Sequence, residues 1–259
     1  MMTRAAKHQA SITEFLSSRS AISNLTDAEW EKVRQMSKLL KPIKESMAAL
    51  GGESYVTTSV VLPEIHYLKR IMREDDGDPY YVSKLKARFV KELTERSANL
   101  PIDFLKTATV CDPRHKRLSF LLKHERPQVY DHLKNLVKIK ENSANIEVSS
   151  APTQPKRSRY EPESDESDEE SCSNLQSDVD GYLALPRAED ETDVLKWWAG
   201  NNGRFPYLSL IARELLSAPA TSVPCERLFS HSGYSICKER SSLKAENAEH
   251  LICLNNWLR

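Results

Sequence analysis

Between Glu141 and Glu191 the apolar periodicity that runs through the rest of this 259-residue chain stops, and Ser, Pro, Asp and Glu take over. A stretch of that composition buries too little apolar surface to offset the entropy of ordering its backbone. The sequence therefore predicts folded parts on either side of a disordered acidic linker over residues 141–191. Charge follows the same division. Residues 1–140 carry 25 Lys and Arg against 17 Asp and Glu, residues 141–191 carry 4 against 14, and residues 192–259 carry 8 against 6. The neutral total conceals a basic part, an acidic spacer and a near-neutral part. Mild basicity permits contact with nucleic acid without requiring it.

On both sides of the spacer the pattern is helical. Glycine is scarce, and runs rich in Leu, Lys, Glu and Ala favour helix over sheet, so the expected class is mainly α. Residues 1–24 read as a flexible N-terminus. A first helix is expected from Thr26, because Thr26-Asp27-Ala28-Glu29 has the form of a capping box. Its stripe is Trp30, Val33, Met36, Leu40, Ile43 and Met47; Pro42 should kink or split it, and Gly51-Gly52 should end it. A second helix begins near Pro63, with Val61, Ile65, Leu68 and Met72 on one face. A third follows Asp78-Pro79, with Val82, Leu85, Phe89 and Leu93 inward. Its basic outer face (Lys84, Lys86, Arg88, Lys91) reads as solvated rather than phosphate-binding. Ala108 to Lys116 reads as a short buried segment, an Asp-Pro turn and the basic start of a helix through Leu118, Leu121 and Leu122, with the pattern continuing to about Lys140.

After the spacer, Val194-Leu195-Lys196-Trp197-Trp198 opens a last module. A helix is expected from Phe205-Pro206 to Leu216, with Leu208, Ile211, Ala212 and Leu215 inward, and a final helix from Lys244 to Leu258. Five scattered cysteines without a CxxC pair argue against a disulfide scaffold. No apolar run approaches the about 20 residues of a membrane span. Cys111, His115 and His124 do not have zinc-site spacing, and Cys225 reads as a small buried thiol. Within the spacer, Pro155-Lys156-Arg157-Ser158-Arg159 has the composition of a nuclear-import cluster, and Ser164 and Ser167 sit in acidic contexts that suit phosphorylation.

The last module resembles the carboxy-terminal dimerisation region of the hAT transposase family. The resemblance rests on elements in order: Trp197-Trp198, Phe205-Pro206-Tyr207-Leu208-Ser209-Leu210-Ile211-Ala212, Pro219-Ala220-Thr221-Ser222, and Glu226-Arg227-Leu228-Phe229-Ser230. Gly233, the stretch Lys238 to Leu243, and Leu251-Ile252-Cys253-Leu254-Asn255 complete it. The Ala108–Lys116 stretch resembles a second family motif, a Leu-Asp-Pro-Arg-aromatic-Lys element, with Cys111 in place of the leucine and His115 in place of the aromatic. Residues 25–140 thereby resemble the family's helical insertion domain, and the group most like the chain is the domesticated zinc-finger BED domain-containing proteins.

The resemblance implies the following expectations. Family transposases join two strand-borne aspartates of an RNase H-like sheet to a glutamate that follows the insertion, and the three hold Mg²⁺. The motif places that glutamate at Glu226. The aspartates, which the family carries on strands before the insertion, most of the sheet and the BED finger are expected to be absent from this chain, so Glu226 is expected to be a remnant that does not act alone, and no cofactor is expected here. The expected activity is dimerisation without catalysis, in the nucleus, with a second copy or a related hAT or BED protein. DNA is a further possible partner through the basic surface; no membrane and no small-molecule substrate are expected. The alternative is the carboxy-terminal portion of an active transposase. Trp197, Trp198, Phe205 and Tyr207 are expected at the dimer interface rather than in a core, Leu208, Ile211, Leu215, Leu251, Ile252 and Leu254 at that interface or behind it, and Arg227, Lys238 and Arg240 are candidate phosphate contacts.

Overall fold

The computed structural model describes residues 2–18, 23–149, 175–235, 246–247, 249–250, 253–254 and 258. Among these residues every regular element is helical and no strand occurs. The chain divides into two compact units, one of Met1–Ala49 with Pro63–Leu100, the other of Leu50–Leu62 with Pro101–Arg259.

The first unit begins with helices α1 (Met2–Lys7) and α2 (Gln9–Ser17), where the sequence suggested a flexible end. Helix α3 (Asp27–Leu50) starts as expected. The Thr26 amide donates to Glu29 Oε2 at 2.8 Å and the Glu29 amide to Thr26 Oγ1 at 3.3 Å, the reciprocal pair of a capping box. Pro42 does not split this helix, which runs on to Leu50 before Gly51-Gly52. Helices α4 (Val61–Ile71) and α5 (Tyr80–Ser97) follow, with Pro79 as the N-cap of α5. Trp30, Leu68, Met72 and Val82 are buried here, while Leu85 lies on the exposed side of its helix. Ser46 Oγ donates to Glu64 Oε2 at 2.5 Å, which gives the buried hydroxyl a partner.

The second unit is built from pieces far apart in sequence. Its elements are a 3-10 turn (Thr58–Val60) and helices α6 (Ile102–Val110), α7 (Arg126–Ser149), α8 (Leu175–Ala184), α9 (Val194–Asn201), α10 (Pro206–Leu216) and α11 (Val223–Ser235). Helix α6 buries Thr107 and Thr109. Their hydroxyls donate to the carbonyls of Asp103 and Leu105 four residues back, each at 2.7 Å, so the β-branched side chains pack with their polar atoms satisfied. The helix expected through Leu118, Leu121 and Leu122 is a turn instead. Leu118 takes a left-handed conformation (φ 46°) while its side chain is fully buried, and α7 starts only at Arg126. Burying a leucine outweighs the roughly 1–2 kcal/mol of a left-handed residue. In α7 the buried positions Val129, Leu133 and Val137 recur every fourth residue.

The predicted boundaries at 140 and 192 are corrected. Helix α7 extends to Ser149 and helix α8 begins at Leu175, both inside the expected linker. Val179 and Tyr182 of α8 are among the most deeply buried residues of the unit. One core joins Ala108, Val110, Leu118 and Leu133 to Tyr182, Trp198, Phe205 and Leu208. Residues 192–259 are thus not a separate module. Helix α9 is capped by Asp193, whose carboxylate accepts from the Leu195 and Lys196 amides at 3.1 and 3.2 Å. Helix α10 opens on Pro206, as expected of a first helical position.

Candidate functional site

The residues that gather the second unit are those of the Cys111–Lys116 motif. Asp112 is fully buried and accepts from four directions. Arg114 Nη2 donates to Oδ2 at 2.7 Å, Arg114 Nε and the Arg114 amide donate to Oδ1 at 3.0 Å, and Ser59 Oγ donates to Oδ2 at 2.6 Å. Burial works to raise this carboxyl, but the Arg114 fork and the Ser59 hydroxyl outweigh it and hold it below the ordinary carboxylate range. Pro113 forces the turn, and its carbonyl accepts the Ala188 amide at 3.1 Å. The Arg114 carbonyl accepts from Arg187 Nε at 2.6 Å.

Lys116 is buried too. Its Nζ donates to the Tyr182 carbonyl at 2.6 Å and lies 4.7 Å from the centre of the Tyr182 ring. Tyr182 Oη in turn donates to the Val110 carbonyl at 2.7 Å, and Trp198 Nε1 to the Cys111 carbonyl at 2.8 Å. Tyr182 meets Trp197 and Phe205 edge to face and Trp198 at a tilt, with ring centres 5.7, 6.1 and 5.2 Å away. Carbonyls left unpaired at the C-terminal end of α6 are thus satisfied by side chains from α8 and α9.

Burial, helped by the charge of Arg117, pushes the Lys116 ammonium down to about 8. A folded value below the unfolded 10.5 means that the unfolded chain binds more protons between them, so stability should rise as pH increases from about 8 to about 10.5. Urea midpoints followed across that window by tryptophan fluorescence should show the rise, and Lys116→Met should flatten it.

The predicted site residues are placed as follows. Trp198 and Phe205, expected at an interface, are instead buried together with Leu208 and Ile211 in the core of their own chain, because Tyr182 and the residues before the spacer cover them, and Trp197, Tyr207 and Leu215 are half-buried against that core. Leu254 is 49% exposed. Leu251, Ile252, Lys238, Arg240 and the import-like cluster lie outside the described residues. Glu226 is exposed in the first turn of α11, where Ser222 Oγ donates to its Oε1 at 2.9 Å. Among the described residues no group of three or more His, Cys, Asp or Glu is placed to hold a metal ion. Arg227, a candidate phosphate contact, donates to the Gly51 carbonyl at 2.8 Å and Glu53 Oε1 at 3.1 Å. Cys225 is exposed rather than buried, and among the described residues Cys111 is the buried thiol.

Two features were missed from the sequence. One is the structural role of Asp112, Arg114 and Lys116. The other is α8, whose signal was present as Val179, Tyr182, Leu183 and Leu185 directly after the acidic run. Beside α9 and α10 an open groove of about 760 Å³ is lined by Tyr55, Leu195, Trp198, Leu210, Arg213 and Leu216. Leu195 on its rim and Phe229 on α11 are 51% and 71% exposed, and Leu258 is 83% exposed. No helix among the described residues is long and apolar enough to cross a membrane.

Residues 178–258 match the hAT family C-terminal dimerisation region. That match begins within α8, at the point where the second half of the core starts. The Zea mays protein named "Putative AC transposase" is 24% identical over 251 residues, 89% of this chain and 31% of that protein. The zinc finger BED domain-containing protein DAYSLEEPER of Arabidopsis thaliana is 39% identical over 88 residues, 33% of this chain and 12% of that protein. Zinc finger BED domain-containing protein 4 of Homo sapiens is 26% identical over 244 residues, 87% of this chain and 20% of that protein. The chain therefore spans about a third or less of the length of these relatives. It carries a hAT dimerisation region related to those of transposases and zinc finger BED domain proteins.

Proposed function

We propose that this chain acts by associating with a second copy of itself or with a related hAT or BED protein, without catalysing a reaction, in nuclear complexes that contain DNA. The observation that carries the reading is the match of residues 178–258 to a dimerisation region in which apolar side chains remain at the surface, Leu195, Phe229, Leu254 and Leu258 among them. Surface of that kind is stabilised by a partner that removes it from water. Trp198 and Phe205 support the reading indirectly, since they hold α9 and α10 in place beneath the exposed residues.

Light scattering on the full chain tests it. A concentration-dependent dimer is expected, and Phe229→Glu should weaken it at least about tenfold, the effect of placing a charge in an apolar contact. A strict monomer at every concentration would sink self-association and count heavily against the reading as a whole. The full chain is needed because residues 192–259 alone lack half of the core that supports them.

One observation favours a second reading. The alignment with the Zea mays protein runs over 89% of this chain, and Glu226 lies in the motif that the resemblance assigns to a catalytic acid. In that reading the chain is part of a longer transposase whose other carboxylates complete a Mg²⁺ site with Glu226. Plasmid nicking in magnesium buffer that disappears in Glu226→Gln would favour this second reading over the first.

A further inference from the structure

Within the second unit the chain after α10 is tied to one short segment, residues 51–58, at three places. Thr58 Oγ1 donates to the Ala218 carbonyl, the Ala220 amide donates to Thr57 Oγ1 at 3.0 Å, and Arg227 Nη1 donates to the Gly51 carbonyl at 2.8 Å. The first two bonds end on Thr57 and Thr58, which are buried, and they fix the turn that precedes α11. Of the three, the Arg227 bond is the one that comes from α11 itself.

Packing does not substitute for that bond. Between the inner side of α11 and residues 52–57 lies an open cavity of about 500 Å³, lined by Tyr55, Thr57, Leu216, Pro219, Pro224 and Leu228. Pro224 and Leu228 are only half-buried there. Side chains that face a gap lose the contacts that would otherwise set the rotation of a helix about its axis. A directional hydrogen bond to a backbone carbonyl sets it instead. The same Nη1 lies 3.1 Å from Glu53 Oε1, but both partners of that ion pair are half-exposed, where water and salt screen the attraction. The carbonyl is therefore the fixed point, and the carboxylate is auxiliary.

At 3.6 residues per turn, positions 227 and 229 are about 200° apart. With Arg227 turned to the loop, Phe229 faces the opposite way, and Glu226, Phe229 and Ser230 share the exposed side of the helix. We propose that Arg227 is a positioning residue for the association surface: by gripping the Gly51 carbonyl it sets the rotation of α11 and so decides that Phe229 faces a partner. The arginine beside the family glutamate then acts on a loop of its own chain rather than on a phosphate. The inference rests on the reading of α11 as part of the association surface.

The test uses the full chain and two readouts, amide hydrogen exchange across residues 223–235 in dilute monomer and the dimer dissociation constant from light scattering. Arg227→Gln should speed exchange in α11 and weaken the dimer, each about tenfold, the effect of losing one hydrogen bond from a charged donor. Exchange in α6 and α10, and the urea midpoint read by tryptophan fluorescence, should stay as in the unaltered chain, a separation that a merely structural residue would not give. Glu53→Gln, which removes the charge and leaves the carbonyl, should change either readout by less than about threefold. Arg227→Lys keeps the charge without the planar guanidinium and should resemble Arg227→Gln. Unchanged exchange in Arg227→Gln, an equal effect of Glu53→Gln, or full activity of Arg227→Lys in both readouts would each overturn the proposal. An unaltered chain that stays monomeric at every concentration sinks the self-association reading separately, and exchange alone then decides whether Arg227 holds α11.

Discussion

Asp112→Ala is expected to destabilise the unit containing residues 101–235 by about 3–5 kcal/mol, the usual cost of removing one partner of a buried ion pair. The carboxylate is fully buried and accepts four hydrogen bonds, three of them from Arg114. Its loss leaves a guanidinium only 14% exposed without its counter-charge, and the Ser59 hydroxyl without its acceptor. Asp112→Asn keeps the shape and part of the bonding and should cost less. The pH dependence follows from the direction of the shift. A carboxyl held below its unfolded value contributes stability that is complete above the ordinary carboxylate range and is lost as the pH falls through the depressed folded value. Urea titrations at neutral and acid pH, read by tryptophan fluorescence, check both points. The alanine variant should be weak at neutral pH and should lose less on acidification than the unaltered chain. Stability unchanged within about 0.5 kcal/mol would mean that the motif does not hold the unit together.

Trp198→Ala is expected to cost a similar amount, about 3–5 kcal/mol, through the cavity left by the indole. Trp198 packs against Tyr182 and Trp197 and closes the bond to the Cys111 carbonyl. Truncation removes the aromatic contacts and leaves that carbonyl unpaired beside a void. Trp198→Phe separates the two contributions, since it removes the N–H and retains most of the volume. It should cost about 1–2 kcal/mol. An equal loss in both variants would place the whole effect in the hydrogen bond and would contradict the packing account.

These two residues show what each level of description could supply. Asp112 and Arg114 were visible as a family-like Asp-Pro-Arg element, and the turn at Pro113 was readable because an Asp-Pro pair has few backbone options. Their role was not readable. A carboxylate in a turn looks the same in sequence whether it meets water or the Ser59 hydroxyl 53 residues away. Trp198 was legible as a large apolar residue, but the same residue type serves a core or an interface. Only the presence of Tyr182 and Cys111 beside it decides for the core. Lys116 is the clearest instance. A lysine after a histidine and before an arginine reads as the basic start of a helix, yet it is buried with its ammonium 4.7 Å from the centre of the Tyr182 ring.

Sequence by itself determined where several helices begin or end, α3, α4, α5 and α10 among them, because those signals are local. The Thr26–Glu29 box, the Pro79 entry to α5, the Pro206 entry to α10 and the Gly51-Gly52 stop each act within one turn of backbone. It also determined that the C-terminal part is similar to a dimerisation region, since an ordered series of short motifs survives without knowledge of what they touch. Only the tertiary structure decided which helices share a core. Amphipathic periodicity states that a helix has a face to bury, and is silent on which other face will cover it. The acidic composition around α8 concealed Val179 and Tyr182 for that reason. Averaged over fifty residues the stretch cannot fold alone, but two side chains placed against a core assembled from residues 108–137 and 194–216 do not need it to.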